Sequence, residues 1–174
     1  MQETKNNNTS AEELKKAVWD VVKNIPDPEI PVITIEDLGI LREVIINDKN
    51  EIEVIITPTY SGCPAMDLIG WNIKTELEQN GFKNFRITNV LSPAWTTDWM
   101  TETGKQKLKA YGIAPPNKKQ IVCDTELFQQ DEAVPCPHCD SYNTKLVSRF
   151  GSTPCKALYH CNNCNEPFDY FKCH

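Results

Sequence analysis

Four cysteines near the C-terminus carry the clearest chemistry in this chain. Cys136-Pro137-His138-Cys139 and Cys161-Asn162-Asn163-Cys164 are two C-x-x-C pairs separated by 21 residues. A C-x-x-C turn lets two thiolates converge on one ion from a tight knuckle. Two knuckles at this distance supply a tetrahedron of sulfur, which suits one structural zinc ion. Four thiolates also accept iron, so the spacing names a metal site before it names the metal. Forty residues bury too little apolar surface to fold unaided, so metal binding here is expected to be coupled to folding.

A second group lies in the first half of the chain. Ser61-Gly62 precedes Cys63-Pro64, and Pro64 is suited to open a helix. A cysteine at a helix start faces unsatisfied N–H groups and the positive end of the dipole. Its pKa is therefore expected below that of a free thiol. Such a sulfur can ligate metal or attack an electrophile; equally, it can be a small packed residue at a cap. Asp27 and Glu29 sit among Pro26, Pro28 and Pro31, which fix the directions of their carboxylates. They suit iron ligation or the steadying of a thiol, and also a plain turn in which Asp27 caps a backbone N–H. No histidine occurs in residues 1–135. Cys63 thus lacks the usual base of a cysteine hydrolase or acyl transferase.

The elements that must position these groups follow from periodicity. Residues 1–9 are polar and Asn-rich and are expected to be disordered. Ser10 and Glu13 make a capping-box pattern, and Leu14, Val18, Val21, Val22 and Ile25 have helical spacing up to Pro26. Strands are predicted over 41–47 and 51–57, joined by a hairpin connection, with Ile52, Val54 and Ile56 on one face. A helix follows over 64–80, with Gly81 as its stop, then a strand over 85–91 and a helix ending near Gly112. The order α-β-β-α-β-α predicts an α+β class, a small two-layer α/β sandwich over 10–112. Residues 113–134 read as a linker, with a short strand candidate at Ile121-Val122-Cys123, and residues 135–174 as the zinc ribbon.

Composition narrows the function classes. The 174 residues carry a net charge of −6. Residues 1–112 hold 12 Lys/Arg against 17 Asp/Glu, residues 113–134 hold 2 against 4, and residues 135–174 hold 4 against 3. No segment offers the basic stripe that phosphate binding needs, so nucleic acid is not an expected partner. No apolar run approaches the ~20 residues of a membrane span, and the N-terminus has no secretory pattern, so a cytoplasmic protein is expected. Eight cysteines fit a reducing compartment if most bind metal.

Two sets of residues carry a resemblance. Asp27-Pro28-Glu29-Ile30-Pro31, Ile35-Glu36-Asp37-Leu38-Gly39 and Thr59-x-x-x-Cys63-Pro64 resemble the metal–sulfur cluster biosynthetic domain of SufT-like and related cytosolic iron–sulfur assembly proteins. The stretch from Phe150 to Tyr159, the second knuckle, and Glu166 to Cys173 are similar to the PaaD (PaaJ) family. Its members are accessory proteins of the phenylacetyl-CoA epoxidase system in bacterial aerobic phenylacetate degradation. The resemblance implies a non-enzymatic factor that matures iron–sulfur or iron centres of the oxygenase and reductase components, the iron–sulfur reductase first among them. It implies Cys63 as the reactive cysteine, with Asp27, Glu29 and Thr59 as motif neighbours. A single cysteine cannot close a four-ligand cluster, so a transient iron–sulfur cluster at Cys63 predicts a homodimer or a ligating partner. The competing expectation is a structural adaptor that docks the epoxidase complex through its ribbon. Cys155 and Cys173 remain over: either they form a second labile site with His138, His160 or His174, or they are a packed turn residue and a tail thiol.

Overall fold

The computed structural model describes residues 4–116 and 134–172. Helix α1 spans Thr4–Val22. Ser10 therefore lies inside the helix rather than at its cap, and residues 4–9, expected to be disordered, continue it. A capping pattern marks where a helix is able to start, and nothing in the polar residues before it forbids further turns. Val18 and Val22 are fully buried. The helix stops before Ile25 and Pro26, where proline would clash with further helix.

Strands β1 (Leu41–Ile46) and β2 (Ile52–Ile56) pair antiparallel, and β3 (Phe85–Asn89) joins β2 in parallel. The parallel pairing requires a crossover, which helix α2 (Ala65–Gln79) provides. Ile52, Val54 and Ile56 turn to the covered face, where they meet Val18 and Val22 of α1 and Met66, Ile69, Ile73 and Leu77 of α2. The expected two-layer α+β sandwich is the observed one. A 3₁₀ turn at Thr97–Trp99 leads to helix α3 (Glu102–Ala110), capped by the Thr101 hydroxyl accepting from the Gly104 N–H.

The Ile35–Gly39 motif explains how α3 is held. Gly39 has φ +69°, and a Cβ there would lie 2.4 Å from the Trp99 carbonyl oxygen. Only glycine permits both the left-handed backbone and that approach. The Asp37 carboxylate accepts from the Thr34 N–H at 3.1 Å, the Thr101 hydroxyl at 3.0 Å and Lys107 Nζ at 2.6 Å. The Glu36 carboxylate accepts from Trp19 Nε1 at 2.8 Å, and the Leu38 carbonyl accepts from Trp95 Nε1 at 2.8 Å. This motif is a structural hub joining α1, the first sheet and α3.

A second sheet has the strand order β4-β7-β6-β5, with β4 Ile113–Ala114, β5 Thr144–Ser148, β6 Lys156–Cys161 and β7 Pro167–Phe171. Strands β5 and β6 pair antiparallel. Ile113 and Ala114, read as the start of a linker, instead pair in parallel with Asp169 and Tyr170 of β7. Adjacent strand residues face opposite sides. Accordingly, Ile113 enters the core of the first layer pair and Ala114 enters the ribbon core with Val134, Ala157, Tyr159 and Phe168. Residues 117–133, with the strand candidate at Ile121–Cys123, lie outside the described residues. Phe171 and Cys155 of the ribbon are buried within the first core, and Phe171 meets Trp95 edge-on at 6.1 Å between ring centroids. The ribbon is thus packed onto the α+β layers through a shared apolar seam. Among the described residues, no helix is long and apolar enough to cross a membrane.

Candidate functional site

The four knuckle cysteines converge. Their sulfurs all lie within 4.8 Å of one another, with Cys136 and Cys164 at 3.7 Å and Cys139 and Cys161 at 3.6 Å. Zinc bonds of ~2.3 Å in a tetrahedron require about 3.8 Å between sulfurs. The donor set therefore fits zinc in chemistry and in size. The two knuckles are built alike. Each C-x-x-C is followed by a residue in the left-handed region, Asp140 at φ +58° and Asn165 at φ +61°, which turns the chain away from the ion. The Asn163 and Cys164 N–H groups point at the Cys161 sulfur at 3.4 and 3.5 Å, and such bonds favour a thiolate. Cys136 and Cys161 are buried, Cys164 is half-buried and Cys139 is exposed; four protein sulfurs fill the tetrahedron, the ligand count of a structural centre.

The second site begins at the proline-rich turn after α1. Asp27 is 6% exposed, and its Oδ1 accepts from the Glu29 N–H at 2.9 Å and the Ile30 N–H at 2.8 Å. This is an Asx-type turn. Burial pushes the Asp27 carboxyl up from its ordinary value, against the pull of those two donors. Asp27 is therefore an anchor that aims Glu29, and Glu29 is the half-exposed carboxylate.

Cys63 enters from the β2–α2 connection. Its N–H donates to the Tyr60 carbonyl at 3.3 Å, and Gly62 takes φ +87° to make the turn. Helix α2 starts at Ala65, and the Ala65 N–H reaches the Cys63 sulfur as the helix-start argument requires. The expected consequence does not follow. Burial is the largest influence and pushes the Cys63 thiol up from its ordinary value; the negative charges of Glu29 and Asp27 add to this. The N–H of Ala65 and the Tyr60 hydroxyl act the other way and lose. Cys63 rests as a thiol at neutral pH, because burial first, and then the carboxylates that share its site, disfavour the thiolate.

Asp27, Glu29 and Cys63 thus belong to one electrostatic neighbourhood. Thr59, 7% exposed, is buried on the loop four residues before Cys63. Two groups complete the site that sequence reasoning did not place there. The Tyr60 side chain joins the same neighbourhood, where burial first, then Cys63, Glu29 and Cys155, raise its pKa to about 12. Cys155 arrives from the ribbon turn before β6, and its sulfur lies 3.5 Å from Glu29 Oε2 and 3.0 Å from Thr153 Oγ1. The sequence signal for Tyr60 was its place one turn before Cys63. Cys155 is 126 positions from Glu29, and only folding joins them. Among the described residues, no histidine joins Cys155 in a metal-ligand set. His138 packs against Gly112, and His160 lies further along β6, paired with Lys145 and Pro167. Cys173 and His174 lie outside the described residues.

Comparison with known proteins adds the family. Residues 121–172 match the PaaD zinc beta ribbon domain, and residues 15–81 match the iron-sulfur cluster assembly protein model. The chain is 49% identical over 157 residues to an Escherichia coli (strain K12) protein named as one of the subunits of 1,2-phenylacetyl-CoA epoxidase, covering 90% of this chain and 91% of that one. The chain belongs to the PaaD family. The chain is also 32% identical over 89 residues to an Fe-S protein maturation auxiliary factor of Porphyromonas gingivalis, covering 51% of this chain and 84% of that protein. A solved domain from Bacillus anthracis, titled as a domain of unknown function DUF59, superposes with a TM-score of 0.54 at 24% identity, covering 58% of this chain and 96% of that one. That likeness speaks for the fold. This PaaD chain therefore joins an iron–sulfur-assembly type layer pair to a zinc ribbon.

Proposed function

We propose that this PaaD protein matures an iron–sulfur or iron centre of the phenylacetyl-CoA epoxidase components, with the iron–sulfur reductase as first client, and catalyses no reaction on the organic substrate. The observation that carries this reading is the pairing of a helix-start sulfur, Cys63, with an aimed carboxylate, Glu29, in a half-exposed position. A labile carrier needs a ligand that binds iron and also lets it go. A thiol held protonated by its neighbours has that property, since each loading step must first displace a proton. Asp27 and Thr59 are positioning residues around Cys63. The closed ribbon centre holds one structural zinc, and the protein works in the cytoplasm. Cys63 alone does not complete an iron–sulfur cluster. A transient homodimer or the client supplies further ligands. Sedimentation that finds cluster-bound protein only as a monomer argues against the dimer.

The test is the anaerobic zinc, iron and acid-labile sulfide content of wild type and Cys63→Ala after reconstitution. The reading expects one zinc in both and iron with sulfide in wild type alone. One zinc in both, with no iron in either, overturns it.

The adaptor reading is favoured by one feature. Tyr142, Val147 and Phe150 on and around the outer ribbon strand are all more than half exposed. An adaptor docking there leaves client loading intact in Cys63→Ala and loses it when the ribbon is removed.

A further inference from the structure

Resting on the carrier reading, we infer that Cys155 of the zinc ribbon is the second sulfur of the Cys63 site, so that one iron cargo is held between the two halves of the molecule. Three observations carry this. Cys155 points its sulfur at Glu29 Oε2, 3.5 Å away, rather than at an apolar wall. Tyr60 feels the charges of Cys63, Glu29 and Cys155 together. Cys63 and Tyr60 pack against the same apolar cluster that holds Cys155. Burial first, with the Glu29 charge adding to it, pushes the Cys155 thiol up to about 12, so iron must displace its proton on binding.

The geometry also bears on the cargo. Among the described residues, only the knuckle cysteines form a set of three or more donors within 4.8 Å of one another. Cys63, Glu29 and Cys155 are more widely spaced than one bare ion requires. They suit iron that brings bridging or filling ligands of its own, inorganic sulfide or water. Cys63, half-exposed, is the open lip, and Cys155, 5% exposed, is the floor. On binding, each thiol loses one proton and gains one Fe–S bond. Glu29 takes the proton from Cys155 and passes it to solvent, the half-exposed Cys63 releases its proton to solvent directly, and the iron keeps its oxidation state.

Iron-edge X-ray absorption on the full chain counts the sulfur neighbours of iron without interference from zinc in the ribbon. Protein holding one zinc is loaded anaerobically with ferrous iron, with and without inorganic sulfide. With ferrous iron alone, wild type is expected to show two sulfurs per iron and Cys155→Ser one. The affinity of Cys155→Ser should fall at least by the ~10–100-fold that loss of supporting ligand contacts costs. With sulfide, Cys155→Ser should retain less than half of the wild-type iron and sulfide. Two protein sulfurs in wild type need no folded variant for their reading. One sulfur in wild type, or unchanged iron in Cys155→Ser alongside loss in Cys63→Ala, overturns this inference and leaves the carrier reading standing. No iron in wild type overturns both.

Discussion

Cys63 shows how a local electrostatic rule is outweighed by its surroundings. A helix start stabilises a thiolate, but that effect is modest and spans one turn. Burial together with the Glu29 and Asp27 carboxylates outweighs it. Metal-free protein should therefore alkylate slowly at Cys63 at neutral pH. The rate should climb as pH rises past the ~8.5 of a free cysteine, because only the thiolate reacts. Glu29→Gln removes one repelling charge and should raise the rate at about pH 7.5 roughly two- to tenfold. Mass spectrometry of the Cys63 peptide over a pH series reads both. A Cys63 that reacts faster than free cysteine at neutral pH contradicts the assignment.

At the scale of elements, the Ile35–Gly39 motif determines whether α3 and the first sheet stay together. Gly39→Ala meets the Trp99 backbone and an unfavourable φ at once. It should cost roughly 2–5 kcal/mol, seen as a lowered denaturation midpoint in urea. Asp37 is a milder and pH-dependent clamp. Burial opposes its ionisation, but Lys107, Thr34 and Thr101 together hold its carboxyl below the ordinary value. A depressed folded pKa contributes stability that is present above the unfolded value of ~3.9 and is lost as pH falls through the folded one. Asp37→Asn should cost about 1–3 kcal/mol at neutral pH. The gap between variant and wild type should close below about pH 4. An unchanged gap in acid denaturation would remove Asp37 from this role.

For the whole molecule, the four-cysteine metal centre ties folding of the ribbon to the proposed carrier site. Cys155, Phe171 and Ile113 belong to the first core, yet the sheet that presents them depends on the knuckles. Chelation should open the ribbon to proteolysis within residues 134–172 while the α+β layers resist. It should also shift the fluorescence of Trp95 as Phe171 leaves its edge, read best in a chain whose other three tryptophans are replaced. Limited proteolysis that spares the ribbon after zinc removal contradicts the coupling.

Much of this was legible in one dimension because it is local. The C-x-x-C spacing, the alternation Ile52-Val54-Ile56 and the Pro64 and Gly81 limits of α2 are short-range consequences of ligand geometry, pleat and backbone sterics. The two-layer α+β class with its four-cysteine ribbon followed from them. What needed the tertiary structure is long-range. The start of α1 depends on turns that no capping motif forbids. The pairing of Ile113-Ala114 with β7 joins segments more than fifty positions apart. The direction of the Cys63 shift depends on burial first and then on charges 34 and 36 positions away, and the meeting of Cys155 with Glu29 on a contact across 126. Spacing along a chain encodes what neighbours can build together. Which distant side chains share a dielectric, and therefore which sulfur is a thiol and which pair can share an iron, is decided only when the layers close.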